Sequence, residues 1–133
     1  MPNHRFRYYA SYIELFPESI YTAKMTFYEI IIFAITSIPC FEFWILLHFE
    51  YTIKQYDIGT GSICANVIAD LKAYMPRYSK GDEDIYQATK DQLETAITNS
   101  KKVVRHCETG GTDMPSTKVH ELVEYLKNLK AQF

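Results

Sequence analysis

The chain has 133 residues, of which 47% are apolar and 23% charged, and its formal net charge is −2. These values exclude a disordered polar tail, and they remove the electrostatic case for nucleic acid, whose phosphates call for clustered Lys and Arg. The length fits a single domain over residues 1–133, able to bury roughly two-thirds of its unfolded surface without disulfides or metal.

The three cysteines are Cys40, Cys64 and Cys107, with no C-x-x-C pair among them. An odd, widely spaced set argues against a disulfide scaffold and against a zinc site built on cysteine pairs. Free thiols, no metal and no cofactor are therefore expected. Met1 to Phe16 mixes Arg5, Arg7 and Glu14 with tyrosines and lacks the apolar core of a secretory signal, so an intracellular, cytoplasmic location is expected.

Composition divides the chain near Gly59-Thr60-Gly61. Residues 1–58 are crowded with aromatic side chains, and residues 62–133 form a charged, amphipathic part. Four basic and six acidic residues precede the glycines, and ten of each follow.

In chain order, Phe6, Tyr8, Ala10 and Tyr12 alternate, a strand pattern near 5–12. Pro17-Glu18-Ser19 reads as a helix start, with Ile20, Phe27, Ile31, Ala34 and Ile38 following at helical spacing to about Ser37. Phe41 to Ile53 is double-natured. Its odd positions are apolar and most of its even ones polar, as in a strand, but Trp44 and Leu46 break the alternation. As a helix the same residues are apolar almost all round, the mark of a buried central helix.

Asp57 to Gly61 reads as a turn, and Ser62 opens a helix to about Met75 with Ile63, Val67, Ile68, Leu71 and Tyr74 on one face. Pro76 ends it. A second helix is predicted from about Asp82 to Cys107, acidic at its start and basic at its end, with Thr89 and Ser100 interrupting its stripe. Thr109-Gly110-Gly111-Thr112 stops it. The last helix carries Val119, Leu122, Val123, Leu126, Leu129 and Phe133, with Pro115 near its start, Asp113 or Ser116 as cap, and a Glu124–Lys127 surface pair. The expected fold is mainly α, a bundle of four to five helices. The alternative is α+β, with strands near 5–12 and 41–53.

Residues 30–49 have the length of a membrane span and hold twelve Ile, Leu and Phe residues. Glu42, at about +2.5 to +3.5 kcal/mol for a central acid, opposes insertion together with Pro39 and His48. A membrane segment is thus an alternative to a buried core.

Few residues suggest chemistry. His120-Glu121 lacks a second histidine at position 124, and His106-Cys107 lies at a helix C-terminus, where an anion is disfavoured, so Cys107 reads as a buried structural thiol. Lys101, Lys102, Arg105 and His106 form a small basic patch that complements the helix terminus. Gly59-Thr60-Gly61 lacks the Lys-Ser/Thr of a phosphate loop.

Glu42 and His48 are the weak catalytic candidates. On a strand they share a face with Trp44 and can form an acid–base pair; on a helix they point about 120° apart. Trp44, Phe49 and Tyr51 are candidate ligand or interface residues. The leading reading is a non-catalytic protein–protein interaction or assembly subunit, because its aromatic excess suits an interface. The alternatives are a small-molecule-binding protein or enzyme with an aromatic pocket around Glu42, Trp44, His48 and Tyr51, and a single-pass membrane protein through 30–49.

Overall fold

The computed structural model describes residues 34–57 and 61–132. Apart from Ala34, these belong to a unit running from Ile35 to Phe133. The predicted strand near 5–12 and most of the predicted helix after Pro17 lie outside the described residues.

The unit is mainly helical. Its order is β1 (Ser37–Ile38), α1 (Phe41–Leu46), α2 (Ile63–Leu71), α3 (Ile85–Thr89), a 3-10 turn (Lys90–Gln92), α4 (Leu93–Gly110), β2 (Ser116–Thr117) and α5 (Val119–Ala131). The two strands pair antiparallel, Ser37 with Thr117 and Ile38 with Ser116. The Lys118 N–H extends the pairing by donating to the Thr36 carbonyl at 2.8 Å. Pro39 follows β1 and Pro115 precedes β2, and both of their peptide bonds are cis.

The double-natured segment is a helix at its start, not a strand. Glu42, Phe43, Trp44, Ile45 and Leu46 of α1 are all buried. A helix covered on nearly every side can be apolar all round, and over six residues that composition also satisfies part of an alternating pattern. The expected strand over 41–53 is therefore corrected. Beyond the turn that follows α1, residues 51–57 run without a ladder.

His48 finishes α1. Its backbone N–H bonds to the Ile45 carbonyl, and its ring Nδ1 lies 3.0 Å from the Trp44 carbonyl and 3.2 Å from that of Ile45. Carbonyls only accept, so Nδ1 carries the proton and caps orphan acceptors of the helix end. Asn99 of α4 donates to the Leu47 carbonyl at 2.9 Å and ties the same end to α4.

α2 begins as its sequence predicts. The Ser62 hydroxyl accepts from the Ala65 N–H at 3.1 Å. Ser62→Ala is expected to cost about 1 kcal/mol, read as an earlier urea midpoint with unchanged slope. Val67 and Leu71 are completely buried, whereas Tyr74 emerges to stack on Phe49 at 5.3 Å between centroids.

The predicted helix 82–107 is divided into α3, a 3-10 turn and α4. The division falls at Thr89, whose hydroxyl donates back to the Ile85 carbonyl at 2.8 Å and competes with the regular backbone ladder. α4 then buries Ala96, Ile97, Ser100, Val103 and Cys107 on one face and ends at Gly111, whose φ of 67° lies in the left-handed region.

α5 starts later than its sequence suggests. Pro115, Ser116 and Thr117 are drawn into or beside β2 by pairing with β1, so neither Asp113 nor Ser116 caps the helix. The Lys118 side chain at the cap position makes no capping bond to the helix, and the Val119 N–H donates to the Thr117 hydroxyl at 3.3 Å. The expected Glu124–Lys127 pair is also replaced. Glu124 pairs with Lys101, and Lys127 with Glu94, so both charges clamp α5 onto α4.

The core has two parts. Phe43, Leu46, Leu47, Val67, Leu71 and Val103 lie in the larger, with Tyr56 and Tyr78 at its edge. Trp44 packs with Ala96 and Ile97 of α4 and with Val119 and Val123 of α5 in the smaller. Among the described residues, no helix is long and apolar enough to cross a membrane. Residues 34–49, the described share of the candidate span, hold β1, Pro39 and the short α1 rather than one continuous helix.

Candidate functional site

Glu42 is the acid buried in the fold among the described residues. It sits in the first turn of α1, where a carboxylate meets the positive end of the helix dipole. Its side chain is only 8% exposed. Three segments converge on it. Cys40 precedes α1 in extended conformation, Cys64 comes from the first turn of α2, and Tyr78 and Lys80 come from the connection to α3.

The Tyr78 hydroxyl donates to Glu42 Oε1 at 3.1 Å, and Lys80 Nζ lies 3.7 Å from the same oxygen. Burial, and then the charge of Glu42 and the bond to it, push the Tyr78 phenol up to about 12. Tyr78 therefore stays protonated and serves as a donor at physiological pH.

Cys40 and Cys64 are joined as a disulfide, with their Cα atoms 5.9 Å apart. This corrects the expectation of three free thiols. The half-cystines are 24 residues apart in sequence, and only the packing of α1 on α2 brings them together. Cys64 Sγ also lies 3.3 Å from Glu42 Oε2. A disulfide sulfur has no hydrogen, so that contact is a hydrogen bond only when Cys64 is a thiol. In the disulfide form, Oε2 faces sulfur, and no donor among the described residues reaches it. Cys40, Glu42 and Cys64 present three ligand atoms within 4.8 Å of one another, a set able to hold a metal ion.

Cys107 is free and buried, and its thiol donates to the Pro115 carbonyl at 3.2 Å. Burial, and then Asp113 and Glu108, push its pKa up. That is the environment of a structural thiol, not an activated one.

The other candidates are dispersed. His48 packs edge-on against Trp44, 4.9 Å between centroids, and its Nδ1 is committed to backbone carbonyls. Among the described residues it shares no hydrogen-bonding partner with Glu42, so the pair of the strand reading is not assembled there. Trp44 is buried in the smaller core, Phe49 stacks on Tyr74, and exposed Tyr51 lies beneath the Lys102 ammonium at 5.9 Å.

A second polar group forms around Asp70 of α2. It accepts from Lys54 at 2.7 Å and from Tyr56 at 3.0 Å, along a shallow groove that includes Gln55 and Asn66. Burial, and then Asp70, raise the Tyr56 pKa. The charges of this group are matched among themselves, so it holds the 51–57 segment against α2.

Cys40, Cys64, Tyr78 and Lys80 were not among the candidates taken from the sequence. Their spacing carries no motif, and the contact from Tyr78 to Glu42 spans 36 residues, with that from Lys80 longer still. The only local hint is Cys40, two residues before Glu42.

These features define a small, mainly helical protein with a buried carboxylate bracketed by two cysteines. The chain belongs to the RloB-like protein family, whose model matches residues 13–126. No curated protein and no solved structure matches it.

Proposed function

We propose that the chain is a non-catalytic helical assembly subunit that pairs with a second copy through the outer face of α5. The observation that carries this reading is the apolar stripe left uncovered there. Leu122, Tyr125 and Leu126 are 41%, 59% and 53% exposed, and Leu129 continues the stripe at helical spacing. The neighbouring face, with Val119, His120 and Val123, is turned to the rest of the fold.

The pattern is self-complementary. An antiparallel pair about a two-fold axis between Tyr125 and Leu126 sets Leu122 against Leu129 and Tyr125 against Leu126. The same operation sets exposed Glu121 against exposed Lys130. Neither is in an ion pair among the described residues. Two-fold interfaces require this reciprocity. We also propose an intracellular location, a reducing setting in which Cys40 and Cys64 are held as thiols.

Light scattering on a size-exclusion column, across a concentration series, tests it. The wild type is expected to approach twice the chain mass as concentration rises. Leu126→Glu is expected to weaken association at least ~30-fold, the effect of losing a central anchor worth about 2 kcal/mol. Glu121→Lys and Lys130→Glu each weaken it, and combining them restores it. A wild type that stays monomeric throughout, or a Leu126→Glu protein of unchanged mass, overturns the reading.

A further inference from the structure

We propose that reduced Cys40 and Cys64, together with Glu42, form a binding site for one divalent cation of the zinc class. This inference is independent of self-association. It starts from Glu42 Oε2, an oxygen of a side chain more than nine-tenths buried, aimed at Cys64 Sγ from 3.3 Å. Tyr78 and Lys80 both address the other oxygen, Oε1. Among the described residues, Oε2 therefore has no donor while the sulfurs are joined, and a buried carboxylate oxygen without a partner is costly. On reduction the Cys64 thiol donates to Oε2, and a cation that displaces the thiol protons takes that place between Oε2 and both sulfurs.

Geometry and charge agree. The three ligand atoms already lie within 4.8 Å of one another. Zinc accepts thiolate sulfur at about 2.3 Å and carboxylate oxygen at about 2.0–2.2 Å, so the two sulfurs, bonded in the disulfide, separate on reduction to share one ion with Oε2. Two thiolates and one carboxylate carry three negative charges, and a divalent cation with Lys80 carries three positive ones. Tyr78 holds Oε1 and so orients Oε2 toward the sulfurs, the role of a supporting hydrogen bond behind a metal ligand. Soft thiolates select zinc over magnesium or calcium.

The disulfide is the oxidised, metal-free alternative. Two equivalents of a small thiol reduce it to two cysteine thiols and are themselves joined as a disulfide. The cation then replaces the two thiol protons, which are released to solvent.

The test uses the full chain purified with a thiol reductant and without chelator. Elemental analysis is expected to find one zinc per chain. After metal removal, titration with cobalt is expected to produce a thiolate-to-cobalt charge-transfer band that saturates at one equivalent. Cys40→Ser and Cys64→Ser abolish the band, and Glu42→Gln, which keeps both thiols, lowers affinity at least tenfold. Alkylation of the wild type guards against misfolding of these variants: zinc is expected to protect Cys40 and Cys64 together, as mapped on peptides. Reduced wild-type chain that binds neither zinc nor cobalt overturns the proposal. So does a charge-transfer band that survives Cys40→Ser, or a Cys40–Cys64 disulfide that persists through reducing purification with no metal bound.

Discussion

Phe43→Ala is expected to destabilise the protein by about 3–5 kcal/mol, while Phe41→Ala, two residues away, is expected to change stability by no more than about 0.5 kcal/mol. Phe43 is completely buried in the larger core and meets Tyr56 edge-on at 6.3 Å. Removing its ring leaves a cavity between α1 and its neighbours, and close-packed surroundings relax only in part. Phe41 begins the same helix and is 54% exposed.

The contrast tests the helix directly. Residues two apart share one face of a strand but lie about 160° apart around a helix. A strand therefore predicts similar losses at the two positions. Equilibrium urea unfolding measures both, with the slope checked for constancy. Against a total stability of about 5–15 kcal/mol, the Phe43 loss takes a large share of the margin. Equal effects at the two positions rule out the packing described for α1.

The second large effect is acid destabilisation through His48 and His120. Burial lowers the pKa of both below the ordinary histidine value of 6.5. For His48, the bonds to the Trp44 and Ile45 carbonyls oppose that shift only in part. Around His120, Glu121 and Glu124 pull the pKa up, Lys101 pushes it down, and the Thr117 carbonyl raises it, but burial dominates.

In the unfolded chain both imidazoles take up a proton near pH 6.5, whereas in the folded chain they stay neutral to lower pH. The unfolded state therefore binds more protons as pH falls below 6.5, and stability falls with it. The loss begins at the unfolded pKa and ends once the folded pKa is passed. Each histidine that stays neutral sets a limiting slope of about 1.4 kcal/mol per pH unit, reduced by whatever water reaches the ring. Urea midpoints are expected to drop between pH 7 and pH 5. His48→Asn is expected to be less stable than wild type at pH 7 and to show a shallower pH dependence. A wild-type midpoint that holds or rises on acidification contradicts the buried, neutral state of both rings.

The amphipathic helices were legible because their information is local. Stripe, cap and stop all fall within a few turns, so Ser62 as the cap of α2 and Gly111 as the end of α4 follow from neighbouring residues. Errors arose where a distant segment competed for the same backbone. Ser116 and Thr117 pair with β1 instead of starting α5. Glu124 and Lys127 find α4-side partners instead of each other, because ion pairs across a packed interface draw on side chains already held in place.

The candidate site was legible in one residue only. Glu42 stands out as an acid inside an aromatic block, and it lies at the centre of the observed cluster. Its proposed companion His48 does not join it, since the helix turns the ring toward backbone carbonyls and Trp44. Apart from Cys40, its actual companions Cys64, Tyr78 and Lys80 all lie more than twenty residues further along the chain.

The amino-acid sequence by itself determined that this protein is mainly helical and that its last helix carries an apolar stripe, because periodicity and capping act over short distances. The tertiary structure alone decided that Phe41–Leu46 is a buried helix, since the same residues satisfy two periods and only cover on all sides selects one. It alone decided that Cys40, Glu42, Cys64 and Tyr78 meet, because that meeting depends on how α1 and α2 pack.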